Sequence, residues 1–400
     1  MLEIPSTSLS DAWDLFMSDF PNVRIGQVRK RFSALRDDQG EDGASYRAVR
    51  ALYFADWGKA EGFISSIPTT STHAPSLRIK AYYHLHEGDV KSACTALARA
   101  ASDDWAIAEL QTWRRRDALG TRRSSPFVPS AFLSIFAALK DEAEYLEEWL
   151  AYHSLVGVER FYLYENNSTD STREVIERAK KFYDIRSYSF TGQPAQDIAM
   201  SHFIEAHRHE TEWAALIDAD EFIRPLHGFE DVRIILEGMN ENVSCVALSW
   251  LLFGSGGHID TPAGLCVEAF TSRRRRAVRK VKSIVRMSRV ASPLNTHQML
   301  VAGRTVDAQG DPVFLLKGEM RPHNSVPLLA LNHYVIKSQA QYRAKVTRGR
   351  SGRDAKPYDS QFFDDYDHNS FEDYTLAAFA EQIAEIVAYA RRCWHADQSD

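Results

Sequence analysis

At Trp213-Ala214-Ala215-Leu216-Ile217-Asp218-Ala219-Asp220-Glu221, a continuous apolar run ends abruptly in three carboxylates. Such a run is typical of a central parallel strand that is buried on both faces. If strand geometry continues past Ile217, Asp218 and Asp220 point to the same side, where they repel each other unless a cation lies between them. Carboxylate oxygens suit Mg²⁺ or Mn²⁺, which commonly share their coordination shell with substrate phosphates. The stretch therefore predicts a buried strand that ends at a metal and phosphate site. An Asp-rich turn that caps a following helix is the alternative.

Upstream of this strand, apolar runs alternate with helical stretches. The predicted strands cover residues 132–138, 160–164, 185–190 and 213–217, and the predicted helices cover residues 142–153, 172–182 and 195–209. Strands that alternate with helices of about ten or more residues indicate an α/β fold with a parallel sheet covered on both faces. Such sheets bind ligands beyond the carboxyl ends of their strands, so we expect the functional site there.

Composition places the chain among ordinary globular proteins. It has 400 residues, of which 44% are hydrophobic and 26% are charged, and its formal net charge is −6. This length predicts two domains. The negative charge provides no global attraction to nucleic acid, so no nucleic-acid partner is expected.

The cysteines and the N-terminus bear on the compartment. The four cysteines show no CxxC spacing, which argues against a zinc site and against a disulfide framework. Residues 1–5 lack the pattern of a signal peptide, and no stretch approaches the roughly 20 apolar residues of a transmembrane segment. We therefore expect a cytoplasmic protein.

The region before the sheet has a different pattern. Residues 45–116 are Ala-rich and helical, and segments 55–60 and 88–93 resemble each other at an offset of 33 positions. The tetratricopeptide period is about 34 residues, but a small helical bundle is the alternative because about three repeats are needed for a continuous face. The charged segment 114–126 predicts a linker. We place a helical domain and linker at 1–125, which leaves room for a protein partner, and the sheet domain at 126–400.

Several short motifs in order resemble those of the GT-A type glycosyltransferases, specifically the family 92 group and its bacterial family 2-like relatives. The matching pieces cover residues 140–153, 164–170, 218–222, 250–258, 282–285, 297 and 331–338, within a resemblance that extends over about 132–350. The chain departs from the family at Glu165, where Asp or Asn is usual, and at Asp141, where Asn is frequent.

The resemblance implies a GT-A, Rossmann-like domain that transfers a sugar, in a hexosyltransferase-like reaction, from a nucleoside-diphosphate sugar to an acceptor hydroxyl. A UDP-sugar is the expected donor, a glycan or other hydroxyl compound the acceptor, and Mn²⁺ or Mg²⁺ the cofactor. The implied metal ligands are Asp218, Asp220 and His333, and the implied donor-binding residues are Asp141, Glu165, Asp170, Asp218 and Lys282. For His333, a hydrogen-bonded core histidine is the alternative. Lys282 ends a basic run, 273–282, that otherwise reads as solvated surface.

A general base must lie within hydrogen-bond reach of the acceptor hydroxyl if the anomeric centre is inverted. In the glycine-rich loop 253–262 the candidates are His258 and Asp260, and Glu221 beside the metal pair is their rival. Two other classes stay open, namely another metal-dependent nucleotide enzyme such as a nucleotidyltransferase and a non-catalytic interaction protein. A C-terminal amphipathic helix over 376–391 is predicted to pack on the sheet domain.

Overall fold

The computed structural model describes residues 33–54, 56–100, 128–191, 195–225, 231–316, 318–321, 327–349 and 358–396. The linker predicted at 114–126 lies outside these residues. The helices are α1 Glu41–Tyr53, α2 Trp57–Ser65, α3 Ala74–His86, α4 Val90–Arg99, α5 Leu146–Leu155, α6 Thr172–Ala179, α7 Ala195–His207, α8 Val232–Glu237, α9 Cys266–Ala269, α10 Gln339–Arg348, α11 Ser360–Tyr366 and α12 Ala380–Ala396. Short 3-10 turns cover Ser33–Arg36, Met287–Arg289 and Ala377–Phe379.

The strands are β1 Ala131–Leu139, β2 Arg160–Glu165, β3 Asp184–Ser189, β4 Thr211–Leu216, β5 Glu221–Pro225, β6 Val243–Leu252, β7 Ser272–Arg273, β8 Val281–Arg286, β9 Val290–Asn295, β10 Gln298–Val301, β11 Arg304–Val306, β12 Phe314–Leu316, β13 Glu319–Arg321, β14 Leu329–His333 and β15 Phe371–Glu372. The main sheet has nine strands in the order β3-β2-β1-β4-β8-β6-β14-β5, with β11 beside β6.

The main sheet is mixed but mostly parallel. Strands β3, β2, β1 and β4 are parallel neighbours, as are β6 and β14. Strand β8 runs antiparallel between β4 and β6, and β5 runs antiparallel to β14. The α/β fold class, the four predicted strands and the three predicted helices are therefore confirmed. The antiparallel insertion of β8 is a feature that the sequence pattern did not specify.

Helices cover the sheet through large buried side chains. Trp149 and Tyr152 of α5 are fully buried, and their polar atoms donate to the backbone carbonyls of Glu221 and Ile223 at 2.8 and 2.6 Å. These bonds fix α5 beneath β5. Helix α12 packs against α5 and buries Ile383 in the same core. The predicted C-terminal helix is thus present and begins at Ala380, after a 3-10 turn.

The N-terminal helices form two hairpins, α1–α2 and α3–α4, that pack together. The two similar segments supply the same turn chemistry, since Asp56 caps α2 and Asp89 caps α4 through a carboxylate that accepts a backbone N–H. Helices α3 and α4 contact Ala291 and Leu300 of the β9–β10 hairpin. The tetratricopeptide interpretation stays a prediction, because residues 33–54 and 56–100 contain two hairpins and a continuous repeat face needs about three.

Across the described ranges, none of the helices combines the length and the apolar character that crossing a bilayer requires.

Candidate functional site

Five predicted site residues lie at one edge of the sheet. Strands β4, β6 and β14 run in the same direction, while β8 and β5 run in the opposite direction. The carboxyl ends of the first group therefore meet the amino ends of the second. Asp218 and Asp220 follow β4, Glu221 begins β5, Lys282 is the second residue of β8, and His333 ends β14. The topology thus assembles residues that are far apart in the chain.

The Asp218 carboxylate is held by two side chains. Lys282 Nζ donates to Oδ2 at 2.9 Å, and Gln196 Nε2 of α7 donates to Oδ1 at 2.7 Å. The Lys282 side chain is only 1% exposed. Burial disfavours its charge, but Asp218 and Glu221 outweigh burial and raise the pKa of Lys282. A protonated lysine therefore lies beneath Asp218.

The Asp220 carboxylate has a second lysine as its partner. Lys345 Nζ of α10 donates to Oδ2 at 2.6 Å and to the Val335 carbonyl at 2.7 Å, while His333 Nε2 lies 3.5 Å from Oδ1. Burial alone would raise the pKa of Asp220, but Lys345 and His333 hold it well below its usual value. Asp220 is therefore ionised in spite of its burial.

The repulsion expected between the two aspartates is thus relieved by two ammonium groups. The donors themselves suit a divalent cation, because Asp218 and Asp220 offer carboxylate oxygens and His333 an imidazole whose Nδ1 is buried with no hydrogen-bond partner among the described residues. Within that part of the chain, however, no three His, Cys, Asp or Glu side chains are gathered closely enough to hold a metal. The donor types fit a metal, and each of the two carboxylates is paired with its own lysine.

Glu221 supports the turn that carries the aspartates. Its side chain is fully buried, and Oε2 accepts the backbone N–H of Asp218 at 2.8 Å. In return, the Glu221 N–H donates to the Asp218 carbonyl at 3.1 Å. Burial and the nearby aspartates raise the pKa of Glu221 well above its usual value. Through these contacts, Glu221 fixes the turn that carries Asp218 and Asp220.

Asp141 and Asp170 tie the loops after β1 and β2 to each other. Asp141, which has a positive φ of 51°, accepts the Thr169 backbone N–H at 2.6 Å. In the opposite direction, Asp170 Oδ2 accepts the Ala143 N–H at 3.0 Å. Asp141 and Asp170, which the resemblance assigns to donor binding, therefore order the loops after β1 and β2 through backbone hydrogen bonds.

Glu165 has a similar role at the end of β2. Its carboxylate accepts the Ser168 backbone N–H and the Arg173 guanidinium, the latter at 2.7 Å. Burial opposes its ionisation, but these two partners outweigh burial and lower the pKa of Glu165. The residue is buried, so a nucleoside could approach it only after a rearrangement of this loop.

The candidate bases lie on the loop after β6. His258 Nε2 is 3.1 Å from the Ala269 carbonyl, and its own carbonyl accepts the Gln339 N–H at the start of α10. Asp260 is exposed. Position 254 requires a glycine, because a Cβ there would lie 2.7 Å from the His368 carbonyl oxygen. This loop is therefore anchored to α10 and to the C-terminal segment.

Three side chains at the sheet edge were missed by sequence reasoning, namely Gln196, Lys345 and Arg348. Arg348 donates to the Asp141 carbonyl at 3.0 Å and to the Glu142 carboxylate at 2.7 Å. Lys345 and Arg348 lie on the same face of α10, one turn apart. One local signal was available, since Ser338 forms a capping box with Gln341 directly after the motif that contains His333.

The fold and the site define an α/β protein with a carboxylate pair beside buried lysines at the carboxyl edge of its sheet, the edge at which such sheets commonly bind ligands. Residues 136–308 match the model of Glycosyltransferase family 92. Over these residues the chain is therefore similar to glycosyltransferase family 92, the family that its motifs resemble.

Curated family 92 proteins are similar to the chain over a comparable number of residues. A family 92 protein of Oryza sativa subsp. japonica is 28% identical over 157 residues, which are 38% of this chain and 26% of that protein. One from Ricinus communis is 32% identical over 167 residues, covering 40% and 30% of the two chains. The chain thus spans less than a third of the length of these relatives.

Solved structures show only weak likeness. S. aureus TarS 1–349 is 15% identical with a TM-score of 0.27, covering 39% of this chain and 47% of that one. Glucosyl-3-phosphoglycerate synthase from Mycobacterium tuberculosis, in complex with Mn²⁺, UDP-glucose and phosphoglyceric acid, is 14% identical with a TM-score of 0.22, covering 30% and 44%. Such TM-scores carry no argument about this chain.

Proposed function

We propose that this protein is a metal-dependent glycosyltransferase that moves a sugar from a nucleoside-diphosphate sugar to an acceptor hydroxyl. The family 92 domain supports the reaction class. The observation that carries the proposal is the Asp218–Asp220 pair, which follows a buried strand at the carboxyl edge of the sheet, with a lysine paired to each carboxylate.

The donor's diphosphate is expected at this carboxylate pair. Asp218, Asp220 and His333 would hold Mn²⁺ or Mg²⁺, which when bound supplies stabilisation of the charge on the leaving diphosphate. Lys282 orients Asp218 through its hydrogen bond. Gln196 fixes the other oxygen of the same carboxylate. A UDP-sugar remains the expected donor.

Among the three candidate bases, His258 has the most suitable contacts. Because a carbonyl can only accept, the Ala269 contact places the proton on Nε2 and leaves Nδ1 as the basic atom. The Glu221 carboxylate is fully buried and occupied by the Asp218 N–H. Asp260 is exposed, and nothing in the structure orients it. We therefore assign acceptor deprotonation to His258, with Asp260 as the alternative.

Donor binding is tested by thermal unfolding with a panel of UDP-, GDP-, CDP-, ADP- and dTDP-sugars, each with Mn²⁺, with Mg²⁺ and with EDTA. A ligand that binds only the folded state must raise the melting temperature. We expect one donor to do so with metal and not with EDTA. Asp220→Asn should abolish the shift, while Asp311→Asn, a matched change at an exposed turn, should retain it. No shift with any donor would refute the proposal.

We also propose a cytoplasmic location, which is supported by Cys245, Cys266 and Cys393 being thiols that form no disulfide. Fractionation that places the protein outside the cytoplasm would contradict this.

A further inference from the structure

Lys345 occupies the carboxylate that the proposed metal would need. Its Nζ lies 2.6 Å from Asp220 Oδ2, and its side chain is 14% exposed beside an aspartate that is 10% exposed. Two cations cannot share this oxygen without strong repulsion at low local dielectric. A divalent cation can therefore take Oδ2 of Asp220 only when Lys345 withdraws from that oxygen.

A withdrawn Lys345 keeps too few partners for a buried charge. Within the described structure it donates to one carboxylate, that of Asp220, and to the carbonyl of Val335. Glu142, a second carboxylate that acts on Lys345, is already paired with Arg348 at 2.7 Å. A buried ammonium without a counterion is strongly unfavourable. When Lys345 loses Asp220 as its partner, another anion must therefore come into contact with Lys345 Nζ.

Lys282 differs from Lys345 in this respect. Besides Asp218, it has Glu221 Oε2 at 3.9 Å and the Thr296 carbonyl at 3.4 Å, and its side chain is almost fully buried. Two further oxygen atoms thus stay near Lys282 when Asp218 is engaged elsewhere. Lys345 is the cation that is free to change partner.

We propose that Lys345 is a diphosphate-binding residue that exchanges partners, pairing with Asp220 in the ligand-free protein and with the donor's diphosphate once Asp220 is taken by the metal. This rests on the proposed function. Helix α10 anchors the exchange, because Ser338 caps its start and Arg348 fixes its end to the loop after β1. The flexible Lys345 side chain can then move while its helix stays in place.

The exchange couples two binding events. Lys345 competes with a metal that binds alone, and it assists a diphosphate that arrives with the metal. Each ligand must then strengthen the binding of the other, by thermodynamic reciprocity. A lysine that only balances the charge of Asp220 would weaken metal binding and leave diphosphate binding unaffected.

The test is calorimetric titration of the full chain with Mn²⁺ alone, and with UDP, GDP, CDP, ADP and dTDP at saturating Mn²⁺. For the diphosphate that wild type binds most tightly, Lys345→Met should lower the affinity about tenfold or more, the size expected for one lost charge-assisted hydrogen bond. The same variant should bind Mn²⁺ alone more tightly than wild type. Lys345→Arg should restore much of the diphosphate affinity.

Arg343→Met is the matched control, since Arg343 is an exposed cation on the same helix, and it should change neither affinity. If Lys345→Met is unfolded at the titration temperature, Lys345→Gln replaces it. The inference is overturned if the neutral variant leaves the diphosphate affinity unchanged or raises it together with that for Mn²⁺. Failure of wild type to bind any diphosphate would instead overturn the proposed function.

Discussion

The Asp220–Lys345 pair allows a quantitative test of how the sheet edge is stabilised in the absence of ligand. Lys345→Met removes the ammonium 2.6 Å from a carboxylate that is 10% exposed. Breaking a buried pair from one side costs about 3–5 kcal/mol, because the remaining charge is left uncompensated. His333 Nε2 lies 3.5 Å from the other oxygen of Asp220 and compensates part of the lost charge. We therefore expect the lower end of this range, about 3 kcal/mol.

The converse change, Asp220→Asn, leaves Lys345 with the Val335 carbonyl and should cost a similar amount. The double variant has no buried charge to compensate, so it should cost about 3 kcal/mol rather than the sum of the two single changes. The assay is urea unfolding of all four proteins in EDTA, with the unfolding free energy compared at equal m-values. The coupling energy is expected to be about 3 kcal/mol.

An exposed pair provides the control for this cycle. Lys180 and Glu177 on α6 are also 2.6 Å apart, but their side chains are 34% and 62% exposed. Their coupling energy should stay below about 1 kcal/mol, as for other surface pairs. If the Asp220 and Lys345 changes add to within about 0.5 kcal/mol, Lys345 is not the counterion that keeps Asp220 ionised and the reasoning fails.

Four further substitutions test contacts elsewhere in the sheet domain. His258→Gln should lower turnover by about 100-fold or more with donor binding unchanged, whereas Asp260→Asn should have little effect; the reverse result in steady-state assays would exchange their roles. Burial lowers the pKa of His153 to about 3, so the folded protein keeps a neutral imidazole while the unfolded chain takes up a proton below about pH 6.5. The free energy of unfolding is therefore highest above about pH 6.5 and decreases as the pH falls. From about pH 7.5 to 5.5 this loss is about 1.4 kcal/mol, and urea unfolding of His153→Gln should show a pH dependence weaker by that amount. Gly318→Ala places a Cβ 2.6 Å from His297 Cβ at a φ of +73°, so the melting temperature should fall by several degrees; an unchanged value would contradict the close approach.

Much of the sheet domain could be predicted because its signals are local. The apolar run that ends in Asp218 specifies a buried strand whatever its neighbours are, and the spacing of residues 142–153 specifies a helix without tertiary information. The edge at which ligands bind then follows from the alternation of strands and helices. The aspartate pair was located in this way before any contact was known.

The charge balance of the site could not be predicted, because it depends on contacts between distant parts of the chain. Lys345 lies 125 positions after Asp220, and nothing in its local sequence shows that it reaches the strand end. The insertion of β8 between β4 and β6, which brings Lys282 beneath Asp218, is a pairing of the same long-range kind. The aspartate pattern alone therefore predicted a metal site and could not show that a lysine pairs with each carboxylate.

Asp141 and Asp170 show a second limit of prediction from sequence. Asp141 and Asp170 were predicted to bind the donor, and in the structure both accept backbone N–H groups from the facing loop. An aspartate that orders a loop and one that binds a nucleoside have the same appearance in a sequence, because both occur after strand ends. Only the hydrogen-bond partners separate the two roles.

The most direct test of the central claim is identification of the nucleotide released when the purified full chain is incubated with sugar nucleotides and Mn²⁺. The account predicts that one donor is slowly hydrolysed to its nucleoside diphosphate, that EDTA prevents this, and that Asp220→Asn lacks the activity while remaining folded. If no donor releases a nucleoside diphosphate, or if the protein instead releases diphosphate from a nucleoside triphosphate, the glycosyltransferase assignment is wrong.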